Sequence, residues 1–317
     1  MRTAPGGPWI FSLICILGLL PGACLAQAAI GGNATVSGNA TLGGGVVYAG
    51  TWSDLVRRAT LAVGTLQKDQ KGVNQFTTGG AAIIIRDSRD RCFIATALHV
   101  FYNPSNDPSK NWVPESLQIR GWRDEQKSRY SDLGSTLPVR SHQRPLYVAS
   151  IKFDLAIVPA TQEIVNRLLD GDQKLATFDP TTIAENAETY DGADVLILGF
   201  PSLVGEEYQQ RALMRAGIIA WTDSSDPSAH EFLVDSRIFP GNSGGPVLSS
   251  AAGMNRDASI SSGKRIKLIG IVSKTINAKP ELALGMSLPD EAMVIGAAGV
   301  GVIEPAHELL ELMAQFR

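Results

Sequence analysis

Short apolar runs set the character of this chain. Stretches 59–66, 81–86, 92–97, 155–158, 195–200, 216–221, 232–235, 246–248 and 268–273 are β-branched or apolar and bounded by Gly, Pro, Asp or Ser. Runs of that length, closed by turn residues, suit strands and are too brief for helices. Asp87-Ser88-Arg89-Asp90 reads as a polar turn joining two of them into a hairpin. Helical periodicity is confined to 162–169, where Ile164, Leu168 and Leu169 share a face, and to 305–316, where Leu309, Leu312, Met313 and Phe316 do. Many short strands and few helices predict an all-β barrel or sandwich. The first helix would suit a bridge between two barrels. With 317 residues, 44% of them hydrophobic, the chain can bury a full core without a metal or disulfide staple.

The strand-like text begins only at about residue 55. Ahead of it, Arg2 precedes an apolar run over 9–20, which Pro21 and Gly22 end, and small residues follow over 23–26. This is the layout of an export signal, 1–26, with cleavage expected before Gln27. The run is shorter than the about 20 apolar residues of a bilayer span, and no later stretch is long and apolar enough for a membrane helix. A periplasmic or secreted protein without a membrane span after signal removal is therefore expected, with an uncleaved anchor or a lipidated Cys24 as alternatives. Residues 27–50 are rich in Gly, Ala, Ser, Thr and Asn and carry Gly-Asn-Ala-Thr at 32–35 and again at 38–41. They offer too little apolar surface to offset ordering and read as a flexible leader. Cys15 and Cys24 fall in the signal, so Cys92 has no partner for an internal disulfide and reads as a buried strand residue. At a net charge of −3 the chain has no Lys/Arg run able to track phosphates, and nucleic acid is not an expected partner.

The string Phe239-Pro240-Gly241-Asn242-Ser243-Gly244-Gly245-Pro246-Val247 carries the chemistry. A nucleophilic serine needs a tight Gly-rich turn, because glycines permit unusual backbone angles and let a carbonyl approach backbone N–H groups. Those groups, expected from Gly241 and Ser243, would form an oxyanion hole. The plain alternative is an ordinary Gly-Asn-Ser-Gly turn. A serine hydroxyl also needs a base. Of the four histidines, His99 follows the apolar run 92–96 where a strand leads into a short helical turn, while His142 and His230 lie in polar loops. The base in turn needs a carboxylate to fix its tautomer. Asp154 opens Asp-Leu-Ala-Ile-Val, an acid at the mouth of an otherwise apolar strand, where a carboxylate without a partner would be costly. A turn-capping Asp is the alternative there.

The order His99, Asp154, Ser243 resembles that of the trypsin/chymotrypsin-like serine proteases. The wording is closest to the bacterial branch, the peptidase domain of heat-shock (HtrA/Deg-type) proteases. Thr96-Ala97-Leu98-His99-Val100 is similar to its histidine motif, Phe153-Asp154-Leu155-Ala156-Ile157-Val158 to its aspartate motif, and 235–246 to its serine motif. Val-Leu-Ile-Leu-Gly-Phe-Pro at 195–201 resembles an early strand of its second barrel, and 268–273 the strand lining the substrate cleft. The resemblance covers about 55–317 and implies two six-stranded antiparallel β-barrels with a C-terminal helix. Barrel 1 would span about 55–160, barrel 2 about 185–303 and the helix about 305–316, all within a protease domain of 51–317. It further implies a serine endopeptidase acting on polypeptides through His99, Asp154 and Ser243, with no cofactor. Val100 stands where pancreatic enzymes have a disulfide Cys, and Asn242 where they have the Asp that pairs with a newly cut N-terminus. Neither the disulfide nor activation by N-terminal cleavage is therefore expected. One helix's length of chain follows the last barrel strand, so a PDZ domain is not expected either.

An α/β-hydrolase elbow also fits Gly241-Asn242-Ser243-Gly244-Gly245, with Asp290 and His307 after it, but requires a helix directly behind Ser243. A protease-like binding module, or a latent protease needing an activating partner, is the non-enzymatic alternative. For the substrate-binding pocket the resemblance offers Arg237, six residues before the nucleophile, and Ile271, Ser273, Lys274 and Thr275 along the cleft strand. No metal-ligand cluster or phosphate-binding Gly loop occurs, and the oligomeric state is not legible.

Overall fold

The computed structural model describes residues 39–40, 48–49, 52–68, 71–107, 110–121, 134–168, 176–184, 189–205, 208–223, 225–226, 230–250, 252–254, 259–262, 265–276 and 299–316. The expected signal, 1–26, lies outside the described residues. So does most of the expected leader, of which Asn39–Ala40 and Tyr48–Ala49 form a two-residue antiparallel pair.

Helix α1 (Trp52–Arg58) opens the folded part, with Asp54 in its first turn and Arg57 and Arg58 in its last, charges that complement the helix dipole. Seven of the strands that follow build the first sheet: β1 (Thr60–Lys68), β2 (Asn74–Arg86), β3 (Cys92–Thr96), β4 (Ser116–Arg120), β5 (Gly134–Pro138), β6 (Val148–Ala149) and β7 (Ala156–Pro159). They form one antiparallel sheet in the order β6-β7-β3-β2-β1-β4-β5. The all-β architecture is as expected, but this half is a curled sheet of seven strands rather than a closed ring of six. Its end strand β6 has two residues, too few for a ladder that could close it.

The apolar run in β2 explains how the sheet sits. Ala82 and Ile84 pack into one core with Leu61, Ile94 and Phe101. Ile83 and Ile85, on the opposite face, join a second core with Phe93, Leu198, Ile271 and Leu312. Both faces are covered there, so the run 81–85 is apolar throughout instead of alternating.

The second half is a closed antiparallel barrel of β8 (Asp194–Gly199), β9 (Leu213–Trp221), β10 (Phe232–Asp235), β11 (Pro246–Ser249), β12 (Leu268–Ile276) and β13 (Val300–Pro305). Its order is β8-β9-β10-β13-β12-β11, with β11 returning to β8. Val195, Ile197, Ile219, Phe232, Val247, Val272 and Ile303 fill its interior. Strands β4, β5, β6 and β13 went unread in the sequence. The first two bury two or three side chains each among polar neighbours, and β13 carries an acid and a proline at its end.

Helix α3 (Gln162–Leu168) packs Ile164 into the core of the N-terminal sheet, so it belongs to that half instead of bridging the two. The terminal helix α4 (Glu308–Gln315) buries Leu309, Leu312 and Met313 against the core shared by both halves. It starts three residues later than expected because Pro305 ends β13. Among the described residues no helix is long and apolar enough to cross a membrane.

Candidate active site

His99 is the second residue of helix α2 (Leu98–Phe101), a single turn directly after β3. The first N–H groups of a helix lack partners inside it, and here Asp154 supplies them. Its carbonyl accepts from Leu98 N–H at 3.1 Å, and its Oδ1 accepts from His99 N–H at 2.9 Å. Trp112 Nε1 donates to the Val100 carbonyl at 2.8 Å, satisfying the other end.

Asp154 is held by its own loop. Ser150 Oγ accepts from Lys152 and Phe153 N–H at 3.1 Å each and donates to Glu308 Oε1 at 2.7 Å, which ties the loop to α4. Asp154 Oδ2 lies 2.6 Å from His99 Nδ1 and accepts from Ser273 Oγ, also at 2.6 Å. Burial alone would raise the Asp154 pKa. The hydrogen bonds from His99 and Ser273 outweigh it and hold the carboxyl below its ordinary value. A carboxylate on Nδ1 keeps the imidazole proton there and leaves Nε2 free to accept.

The serine turn is built against both halves. Gly241 and Gly244 adopt φ of 92° and 86°, left-handed values that other residues rarely take. A Cβ on Gly241 would also strike the Phe200 carbonyl, and one on Gly244 the Ala81 carbonyl and Thr96 Oγ1. Ala81 N–H donates to the Ser243 carbonyl at 2.7 Å, and Gly244 N–H to the Val272 carbonyl at 2.7 Å. Asn242 is fully buried. With its amide oxygen turned to the donors it accepts from Phe239 N–H at 2.9 Å and from the Arg215 guanidinium. Arg215 also donates to the Arg237 carbonyl and lies over the Phe239 ring, so this one half-buried cation grips the turn at three points. Burial lowers its pKa. The N–H groups of Gly241 and Ser243 have no acceptor among the described residues. Ser243 Oγ donates to the Ser273 carbonyl at 2.9 Å, not to His99. Ser273 is thus the hub, with its hydroxyl on Asp154 and its carbonyl on Ser243.

His99, Asp154, Ser273, Gly241 and Ser243 come together. Among the described residues β12 pairs with β13 alone from Ser273 onward, so no described strand covers its other edge. Lys274 is exposed there, and Thr275 is half-buried with its hydroxyl 3.4 Å from the Ile238 carbonyl. Ile271 is instead fully buried in the shared core, and Arg237 is exposed. His142 is exposed, His230 lies 3.4 Å from Asp223, and His307 is half-buried just before α4, its pKa lowered first by burial. A strand, β11, follows Ser243, so the strand-turn-helix of a hydrolase elbow does not form. Cys92 is half-buried on β3. Among the described residues no group of three His, Cys, Asp or Glu is placed to hold a metal.

Arg215, Ser150 and Glu304 went unread in the sequence. Glu304 had a signal: it is an acid inside Val-Gly-Val-Ile-Glu-Pro, as anomalous as Asp154 before its own strand. It is 4% exposed, and burial, followed by the charge of Asp154, raises its pKa to about 7.

A family profile described as a trypsin-like peptidase domain matches residues 80–254. No curated protein sequence matches. Among solved structures the chain is similar to the HtrA-type protease AlgW with a tripeptide, at 19% identity over 84% of this chain and 63% of that one, TM-score 0.45. It is also similar to an AlgW variant with a decapeptide, at 16% identity over 84% of this chain and 66% of that one, TM-score 0.43. The chain spans less than two thirds of either protein's length.

Proposed function

The chain belongs to the trypsin-like peptidase family by its match over residues 80–254, and from that premise we propose that it is a serine endopeptidase whose triad is His99, Asp154 and Ser243. The observation that most supports this is the His99–Asp154 pair, bonded at 2.6 Å through Nδ1 and at 2.9 Å through the backbone N–H. Ser243 Oγ attacks the peptide carbonyl carbon and passes its proton to His99 Nε2. The carbonyl oxygen becomes an oxyanion held by the Gly241 and Ser243 N–H groups. The C–N bond then breaks, His99 gives the proton to the departing amine, and water hydrolyses the acyl-enzyme ester by the same steps in reverse roles. A polypeptide would lie along the edge of β12 that no described strand covers, beside Lys274 and Thr275. Substrates met in the periplasm or outside the cell fit the export signal expected over 1–26.

A second reading has its own support. Ser243 Oγ is bonded to the Ser273 carbonyl instead of to His99, as a latent protease or a protease-like binding module would permit. In the enzyme reading, a substrate N–H takes that carbonyl and releases the hydroxyl to His99.

Fluorophosphonate labelling of the folded protein tests the proposal. Wild type should label at Ser243, Ser243→Ala and His99→Ala should not, and Asp154→Asn should slow labelling by about 10⁴, the cost of leaving the base in the wrong tautomer. A folded wild type that never labels would favour the latent or binding reading.

A further inference from the structure

Arg215 stands on the inward face of a barrel strand. Residues two apart along a strand share a face, and Ile219, four positions along β9, fills the barrel interior. Across the ladder Arg215 pairs with Ile197 of β8, which is also inside. A cation in that position needs partners. Among the described residues no carboxylate supplies them: burial alone lowers its pKa, and its Nε is buried without an acceptor. The guanidinium is committed to the serine turn instead. Nη1 donates to the Arg237 carbonyl. Nη2 donates to the Asn242 amide oxygen, with that amide turned to its donors. The group also lies 5.3 Å from the centre of the Phe239 ring. Two nitrogens of one rigid plane thus set the spacing between the two ends of the segment that leads into Ser243.

The middle of that segment shows what the spacing does. Ser202 N–H donates to the Pro240 carbonyl at 2.9 Å. In a planar trans peptide the C=O and the following N–H point in opposite directions. With the Pro240 carbonyl on Ser202, the Gly241 N–H faces the other way, and it has no acceptor among the described residues. The same peptide turned over would present a carbonyl where an oxyanion must bind. Resting on the triad proposed above, we propose that Arg215 is a positioning residue: by spanning the Arg237 carbonyl and the Asn242 amide it keeps the Gly241 N–H turned to the oxyanion before substrate arrives. It acts through the turn alone, because the His99–Asp154 pair is held separately by Ser273 and the Asp154 loop.

The experiment compares wild type, Arg215→Met and Arg215→Lys in the full chain. Methionine is of similar reach and leaves no charge to be buried, and Asn242 keeps the Phe239 N–H at 2.9 Å. The urea midpoint of Arg215→Met should therefore stay at or above that of wild type. Fluorophosphonate labelling separates binding of the probe from its reaction. The limiting rate should fall about 100-fold in Arg215→Met, as for a misplaced oxyanion donor, while the half-saturating probe concentration stays unchanged. Arg215→Lys should stay slow too, since an ammonium is a point charge and cannot span both acceptors with a planar fork. The His99 Nδ1 proton resonance should keep its wild-type position in both. A limiting rate within about threefold of wild type in either variant would overturn the proposal. So would a fall accompanied by a lower urea midpoint or a lost His99 resonance, which marks general loosening. A wild type that labels at no pH defeats the triad instead, and the clamp is then read from hydrogen exchange at Ser202 N–H, whose bond to Pro240 opens when that peptide turns. Exchange about tenfold faster in Arg215→Met supports the clamp, and unchanged exchange overturns it.

Discussion

The environments of Asp154 and Glu304 push their carboxyl groups in opposite directions. Glu304 is raised from 4.5 to about 7, so between those values the folded chain keeps a proton that the unfolded chain has lost. Stability contributed there is fully present below 4.5 and is lost as pH rises through about 7. The loss is on the order of 3 kcal/mol for a shift of this size. Asp154 behaves oppositely, since its pKa is lowered: it stabilises above its ordinary 3.8, and that contribution is lost as pH falls below it. Glu304→Gln should therefore melt higher than wild type at alkaline pH, with the gap closing in acid. A melting difference that stays constant from acid to alkaline pH would sink this account.

The terminal helix shows how an element far along the chain serves the site. Its acidic first turn, Glu308 and Glu311, suits the positive end of the helix dipole, and Glu308 also accepts from Ser150 in the Asp154 loop. What keeps the helix there is its buried stripe, Leu309, Leu312 and Met313, packed in the core shared by both halves, with the Phe316 ring tilted against Phe93, centroids 5.1 Å apart. Leu312→Ala removes a fully buried side chain from that stripe. It should destabilise the protein by about 2–5 kcal/mol in denaturant unfolding. A cost below about 1 kcal/mol would mean that the helix is not packed as described.

At the scale of the molecule, the site exists because the two halves dock at one seam. The Ser243 carbonyl takes the Ala81 N–H of β2, Thr96 Oγ1 of β3 braces the Ala81 carbonyl at 2.6 Å, and Gly244 lies against both. Gly80 lets the seam close: a Cβ there would sit 2.9 Å from Val100 Cγ2 and 3.0 Å from the Ser243 carbonyl oxygen. Gly80→Ala must shift the serine turn or helix α2 by a fraction of an ångström. A displacement of this kind, with secondary structure unchanged by circular dichroism, should slow labelling by about 100-fold. Labelling within about twofold of wild type would show that the seam does not set the geometry.

Strand periodicity, turn chemistry and the glycine-rich serine turn are local properties, carried by neighbours within a few residues. For that reason the sequence alone determined the all-β class, the strands from 59–66 to 268–273, the hairpin at 87–90 and a terminal apolar helix. It also singled out His99, Asp154 and Ser243 as the residues whose chemistry wanted partners. Which partners they meet was a tertiary decision. His99 and Asp154 are 55 residues apart, and Asp154 and Ser273 are 119 apart; no pattern of short period spans such distances. Closure of the barrel set Glu304 opposite Ile271 and put the Ile271 side chain into the core rather than the cleft. The same packing left the N-terminal sheet open and gave the serine turn an internal cation, Arg215. Burial and partner choice depend on how remote surfaces fit together, and that fit is decided only when the whole chain packs.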